Sequence, residues 1–127
     1  MKKVISVLLI ATIFLTGCGT TTLEAYVKKN DDVKNIFKAL NTEDEDGMVS
    51  VVVEKNTIYI TSTYKEKMSK DAIANLKKEK EKDEKKAKET FQNLIVSLEE
   101  STDIEEIKVA VKYQDENNNL IYEKTYE

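Results

Sequence analysis

The fold is decided by the stretch VSVVVEKNTIYI at residues 49–60. Valine stands at every second position before Lys55-Asn56 and isoleucine does so after it, which predicts two strands with a period of two. A two-residue loop at Lys55-Asn56 pairs Val53 with Ile58, and the preceding alternate valine with the next alternate isoleucine. These side chains then share one face of a hairpin, which must be covered, while the other face is partly solvated.

A long helical pattern follows this hairpin, from Ser69 or Lys70 to Glu100. Apolar residues recur at helical spacing near both of its ends, but residues 77–86 contain none. The pattern would span about 45 Å as a helix, whereas a seven-residue strand spans about 23 Å. We therefore expect residues 91–98 to cover the sheet and the charged part to overhang or break.

Short helical segments are predicted before the hairpin. Thr21 is the predicted N-cap residue of the first, and Glu24 completes a capping box three residues later. Asn30 is a favoured N-cap residue followed by two acids, so it marks either the start of a second short helix or a kink in one.

Two further strands are predicted beyond the long helix, at residues 109–113 and 120–126. A two-residue turn between them pairs Tyr113 with Tyr122, whereas a three-residue turn with a bulge pairs Tyr113 with Ile121, so the inward face of the last strand stays open. The predicted fold is α+β and two-layered. It has a four-stranded, mainly antiparallel sheet of two hairpins, one long helix and a short N-terminal helical segment.

Residues 1–17 are typical of a cleaved signal peptide. Two lysines precede an apolar run at residues 4–15, which is shorter than the roughly 20 residues of a membrane span but fits the apolar region of a signal. The following Leu15, Thr16, Gly17 and Cys18 resemble the bacterial lipobox, in which the cysteine receives a diacylglyceryl group. We expect a lipoprotein anchored through Cys18 by palmitate-like chains, each of which gains ~0.8 kcal/mol per buried methylene.

The predicted organisation is a signal peptide at 1–17, a lipidated tether at 18–22 and a single α+β domain at 23–127. The four residues after Cys18 reach about 15 Å at ~3.5 Å per residue, which would hold the domain close to the bilayer. The expected location is the extracytoplasmic face of the cell membrane.

Composition excludes several classes of function. The chain has 20 basic residues, all lysine, 24 acidic residues, one cysteine and no histidine, tryptophan or proline. Without histidine, the Ser–His–Asp and Cys–His mechanisms and the usual zinc, iron and copper ligand sets cannot be assembled. An acidic chain without arginine is also poorly suited to nucleic-acid readout. We therefore expect no catalytic residues, no cofactor, no metal and no nucleic-acid partner.

Two acidic loops match a calcium-binding loop only in part. Asp44 and Asp46 precede Gly47 at the spacing of an EF-hand, but Val53 stands where a bidentate glutamate is required. The loop that begins at Asp115 fails at the same position, so both are interpreted as solvated turns.

A family resemblance runs over most of residues 21–127. Its matching positions are Leu23-Glu24, Tyr26-Val27, Gly47-Met48, Asn56-Thr57, Thr90-Phe91, Leu94, Tyr113 and Ile121-Tyr122. At these positions the chain resembles a family of small Firmicute lipoproteins that carry a domain of unknown function. The resemblance implies an envelope lipoprotein and supplies no catalytic residues.

The leading functional hypothesis is a non-catalytic, membrane-anchored module that binds a protein of the cell envelope. Val52 and Tyr59 lie opposite each other on the outer face of the first hairpin, and an exposed aromatic beside a β-branched residue is a suitable anchor for a partner. The alternative is an immunity or exclusion lipoprotein that blocks a toxin or phage at the membrane. A hydrolase is the third hypothesis.

Overall fold

The computed structural model describes residues 22–127, which contain four helices and five strands. The helices are α1 (Leu23–Lys29), α2 (Asp31–Ala39), α3 (Lys70–Lys82) and α4 (Glu84–Thr102). The strands are β1 (Thr42–Glu43), β2 (Gly47–Glu54), β3 (Thr57–Tyr64), β4 (Lys108–Gln114) and β5 (Leu120–Tyr126). The α+β class is confirmed, whereas the predicted four strands and single long helix are corrected to five strands and a divided helix.

The five strands form one sheet in the order β1-β2-β3-β4-β5. Three neighbouring pairs are antiparallel, but β3 and β4 are parallel, so the two predicted hairpins join into a mixed sheet. A parallel pair needs a crossover connection, and α3 with α4 supplies it. The additional strand β1 was missed because two residues are too few to show an alternation; Thr42 pairs with Val49 and Glu43 with Met48.

The register predicted for the first hairpin is confirmed, because Val53 pairs with Ile58 and Val51 with Ile60. The buried side chains of the sheet project to one face, where they form a single core with the helices. Its fully buried members include Leu23, Ile58, Ile60, Leu94, Leu98, Ile107 and Val109. The side chains on the opposite face are exposed or half-buried.

The second hairpin combines features of both predicted alternatives. Tyr113 pairs with Tyr122, as the shorter turn requires, but a bulge follows at once and Gln114 pairs with Leu120. The extra residue is Ile121, which is buried, as is Tyr126 at the end of the strand. The bulge therefore resolves the inward face of β5, because it turns Ile121 towards the core without shifting the rest of the ladder.

The predicted long helix breaks at Asp83, which has φ −86° and ψ 1°. The hydrogen-bond ladder continues across this residue: its N–H donates to the carbonyl of Glu79 at 3.1 Å, and its carbonyl accepts from the N–H of Ala87 at 3.0 Å. The half of the helical pattern that packs against the sheet is the one that the sequence predicted, residues 91–98. Its buried residues on α4 include Phe91, Leu94, Ile95 and Leu98, whereas α3 has none.

The charged part of the helix contains the break at Asp83, which is one of the two predicted outcomes, and it contacts β4 and β5 instead of overhanging the sheet. The Nζ of Lys80 lies 4.4 Å from the centre of the Tyr113 ring, a cation–π contact. Glu84 Oε1 accepts from Lys124 Nζ at 2.6 Å. Lysine and glutamate side chains, which have long apolar stems, thus contact the sheet from this part of the helix.

The N-terminal part contains two separate helices that meet at Asn30, which resolves the open choice between two helices and a kink. The first N-cap residue is Thr22 and not Thr21, because the Oγ1 of Thr22 accepts from the N–H of Ala25 at 3.2 Å. Glu24 does not complete a capping box; its Oε1 accepts from the N–H of Lys55 at 2.8 Å instead. The Glu24 carboxylate therefore binds the hairpin turn at Lys55 and does not make the predicted capping-box contact within its own helix.

Candidate functional site

The uncovered face of the sheet carries the pair predicted as a partner surface. Val52 on β2 and Tyr59 on β3 are directly opposite each other in the hairpin register. Their side chains are 53% and 42% exposed. A valine and a tyrosine at this exposure leave apolar area in solvent on a face that none of the four described helices covers. The predicted position of this pair is confirmed, and its binding role stays a prediction.

The sheet extends this pair into a row that crosses four strands. Tyr59 is paired with Ala110 on β4, and Ala110 is paired with Thr125 on β5. We call Val52, Tyr59, Ala110 and Thr125 the outer row; at about 4.8 Å between strands it is about 14 Å long. Sequence analysis missed the last two members because their place depends on the parallel pairing of β3 with β4. A shallow groove of about 630 Å³ passes along the row between Tyr59 and Thr125.

Polar side chains flank the outer row on both sides. On one side are Ser50, Thr61, Lys112 and Glu123, which are consecutive in the pairing of β2 to β5. On the other side Glu54 is paired with Thr57 and Thr57 with Lys108, whose Nζ lies 3.2 Å from Glu127 Oε1. A centre that is apolar at Val52, Tyr59 and Ala110, with a charged and hydroxyl-bearing rim, is the usual arrangement of a protein-binding patch.

The beginning of the domain is fastened to the turn of the first hairpin. The N–H of Leu23 donates to Asn56 Oδ1 at 2.9 Å, and the N–H of Glu24 donates to the carbonyl of Lys55 at 2.8 Å. Asn56 Nδ2 donates in turn to the carbonyl of Glu105, before β4, at 3.1 Å. We call this set of bonds the hairpin clamp. It brings the first described residues to the end of the sheet formed by the β2–β3 turn and the start of β4.

The lipobox residues Leu15, Thr16, Gly17 and Cys18 lie outside the described residues. Within residues 22–127, no helix is both long and apolar enough to cross a membrane.

The two acidic loops use their first carboxylates to close turns. Asp44 Oδ1 accepts from the N–H groups of Asp46 and Gly47 at 2.9 and 3.0 Å. Asp115 Oδ1 accepts from the backbone N–H groups of Asn119 and Asn117, and these bonds lower the pKa of its carboxyl. Among the described residues no group of three potential ligands is placed to hold a metal ion.

The tyrosines other than Tyr59 belong mainly to the packed side of the sheet. The rings of Phe91 and Tyr126 stack with their centroids 5.1 Å apart. Burial raises the pKa of the Tyr64, Tyr122 and Tyr126 phenols. Since none of these groups ionises near neutral pH, we assign them a packing role.

Comparison with known proteins supplies a family but no function. Neither the curated proteins nor the solved structures contain a match to this chain. One family model, described as a domain of unknown function (DUF4854), matches residues 23–126, from the first residue of α1 to the last residue of β5. The whole α+β domain is therefore covered, and the chain belongs to the DUF4854 family of domains of unknown function.

Proposed function

We propose that this protein is a lipid-anchored, non-catalytic binding module on the extracytoplasmic face of the cell membrane, and that it contacts an envelope protein through the outer row. The observation that carries the proposal is the exposure of Val52 and Tyr59 at one end of the row, on a sheet face opposite the helices. The lipobox at residues 15–18 supports the anchor.

The hairpin clamp supports the link between the anchor and the surface. It ties Leu23, the first residue of α1, to the β2–β3 turn at Asn56. Val52 is three residues before Lys55 in the chain, which is about 10 Å at the rise of a strand. A tether that enters the domain at this turn would keep the outer row close to the membrane, within reach of membrane-bound partners.

Anchoring is tested by replacing Cys18 with alanine in the full chain. We expect the native protein to fractionate with membranes and to carry acyl chains detectable by mass spectrometry. We expect the Cys18→Ala variant to lose both properties. A native chain that is secreted without a lipid would disprove the anchor.

Partner binding is tested by placing a photo-crosslinking phenylalanine analogue at position 59 in intact cells. The matched control places it at Lys85, which is exposed on α4. We expect a discrete crosslinked species from position 59 only. We expect Val52→Asp to reduce it strongly, because the substitution replaces an apolar anchor beside Tyr59 with a charge, and the loss of an anchor costs about 2 kcal/mol or more at an interface. Equal crosslinking from both positions, or none under several growth conditions, would disprove binding through the outer row.

A further inference from the structure

A cleft of about 760 Å³ lies on another part of the domain, away from the outer row. It opens between the acidic turn after β1, the end of β3 and the beginning of α3. Its apolar wall consists of Val49, Tyr64, Met68 and Ala72. This volume is within the range of small-ligand sites, and its mixed aromatic, thioether and aliphatic wall is suited to an alkyl chain.

The cleft is open because the beginning of α3 is not packed closely against the sheet. No residue of this helix is buried, and Met68 and Ile73 are only partly buried where the helix begins. The start of β2 and the end of β3 are therefore left with an open corner beside Val49 and Tyr64, which are paired with Ser62 and Gly47 respectively.

The charge around the cleft is negative. Its charged lining residues are Asp44, Asp46 and Glu66 against Lys67 alone. Asp44 is engaged by two backbone N–H groups of its own turn, whereas the side chains of Asp46 and Glu66 stand at the exposed rim. Together they leave an excess of negative charge at the mouth of an apolar cleft.

The beginning of α3 does not reverse this sign. A helix N-terminus attracts anions through its unpaired N–H groups. Here Ser69 Oγ accepts from the N–H of Ala72 at 3.1 Å, and the carboxylate of Asp71 lies in the first turn. Both reduce the partial positive charge that would otherwise favour an anionic ligand.

From these observations we propose that the cleft binds a lysine side chain presented by a basic peptide segment. The alkyl chain of the lysine lies along Tyr64 and Met68, and its ammonium group faces Asp46 and Glu66 at the rim. Lysine matches the cleft because its four methylenes are apolar and only its tip is charged. The proposal is independent of the outer row, which lies on the opposite face of the sheet, and of the anchor.

The test uses the ¹⁵N-labelled full chain in zwitterionic micelles and a blocked pentapeptide of alternating alanine and lysine, which is too polar to enter the micelle. The comparison peptide has glutamate in place of lysine. We expect saturable chemical-shift changes at the amides of Tyr64 and Ala72 with the lysine peptide only. The affinity should fall as salt is added, since the rim charges are exposed.

Two variants and a matched control separate the cleft from general charge attraction. The double variant Asp46→Lys with Glu66→Lys should bind about tenfold more weakly, which corresponds to about 1.4 kcal/mol. The control Glu89→Lys with Glu100→Lys makes the same change in net charge on exposed positions of α4 and should stay within about twofold of the native affinity. Ala72→Trp is designed to fill the cleft without changing the net charge, and an unchanged spectrum at residues remote from the cleft would show that the variant folds.

The proposal is supported if Ala72→Trp and the double variant Asp46→Lys with Glu66→Lys both weaken binding of the lysine peptide. The control double variant should leave that binding unchanged. Equal weakening by both double variants, equal binding of the glutamate peptide, or no saturation up to about 10 mM would overturn it. Shift changes with spermidine but not with the lysine peptide would assign the cleft to free polyamines and would also overturn it.

Discussion

Replacing Asn56 with alanine tests whether the hairpin clamp holds the domain together. The Asn56 side chain accepts from the N–H of Leu23 at 2.9 Å and donates to the carbonyl of Glu105 at 3.1 Å. It therefore joins three segments that are far apart in the chain. The backbone bond from the N–H of Lys108 to the Asn56 carbonyl is retained in the variant.

The expected loss of stability follows from these two bonds. Each hydrogen bond contributes about 0.5–1.5 kcal/mol, and a buried donor left without a partner costs about 1–3 kcal/mol. Leu23 is completely buried, so its N–H would be difficult to rehydrate. We expect Asn56→Ala to lower the free energy of unfolding by about 2 kcal/mol, a large fraction of the roughly 5–15 kcal/mol typical of a domain.

The assay is urea unfolding followed by circular dichroism. With a slope of about 1.5 kcal/mol per molar urea, a loss of about 2 kcal/mol moves the midpoint down by about 1.3 M. The matched control is Asn93→Ala on the exposed side of α4, which we expect to be neutral or slightly stabilising because alanine favours helix. A midpoint shift below about 0.3 M for Asn56→Ala, at an unchanged slope, would refute the clamp as a source of stability.

Three further predictions concern the core, the hairpin turn and acid stability. Leu98→Ala should cost about 2–5 kcal/mol in urea unfolding because this side chain is fully buried, whereas Val96→Ala, at an exposed site on the same helix, should cost less than about 1 kcal/mol. Lys55 has φ 54°, so Lys55→Gly should raise the unfolding free energy by about 0.5–1 kcal/mol; a loss would contradict strain there. The pKa of Asp115 is lowered in the folded state, so its contribution to stability is present above about pH 4 and is lost as pH falls through the folded-state pKa. Asp115→Asn should therefore flatten the acid limb of the stability–pH curve, and an unchanged limb would contradict this assignment.

Features that depend on neighbouring residues could be predicted from sequence. Alternation in residues 49–60 is local, and it was enough to predict both the register of the first hairpin and the exposed pair Val52 and Tyr59. The apolar spacing in residues 91–98 likewise predicted the half of the helix that covers the sheet. A register shift of one residue in either strand would have moved its apolar side chains to solvent, so the alternation left little choice.

Local patterns failed where a distant segment competed for the same group. Glu24 has the spacing of a capping-box residue, but its carboxylate accepts a hydrogen bond from the N–H of Lys55, 31 positions away. The charged run at residues 77–86 contains no apolar residue, yet Lys80 makes a cation–π contact with the ring of Tyr113 on β4. Neither partner can be inferred from the segment that contains the polar residue.

The surfaces proposed to bind depend most on non-local contacts. The outer row reaches Ala110 and Thr125 only because β3 and β4 pair in parallel, and no periodicity within either strand specifies that neighbour. The cleft forms where α3 stands away from the sheet beside Val49 and Tyr64. Residue order thus dictated four of the five strands, the register of the first hairpin and the apolar face of that hairpin, since these follow from short-range geometry. The packing of the elements against one another created the two surfaces, because each is lined by segments that are distant along the chain.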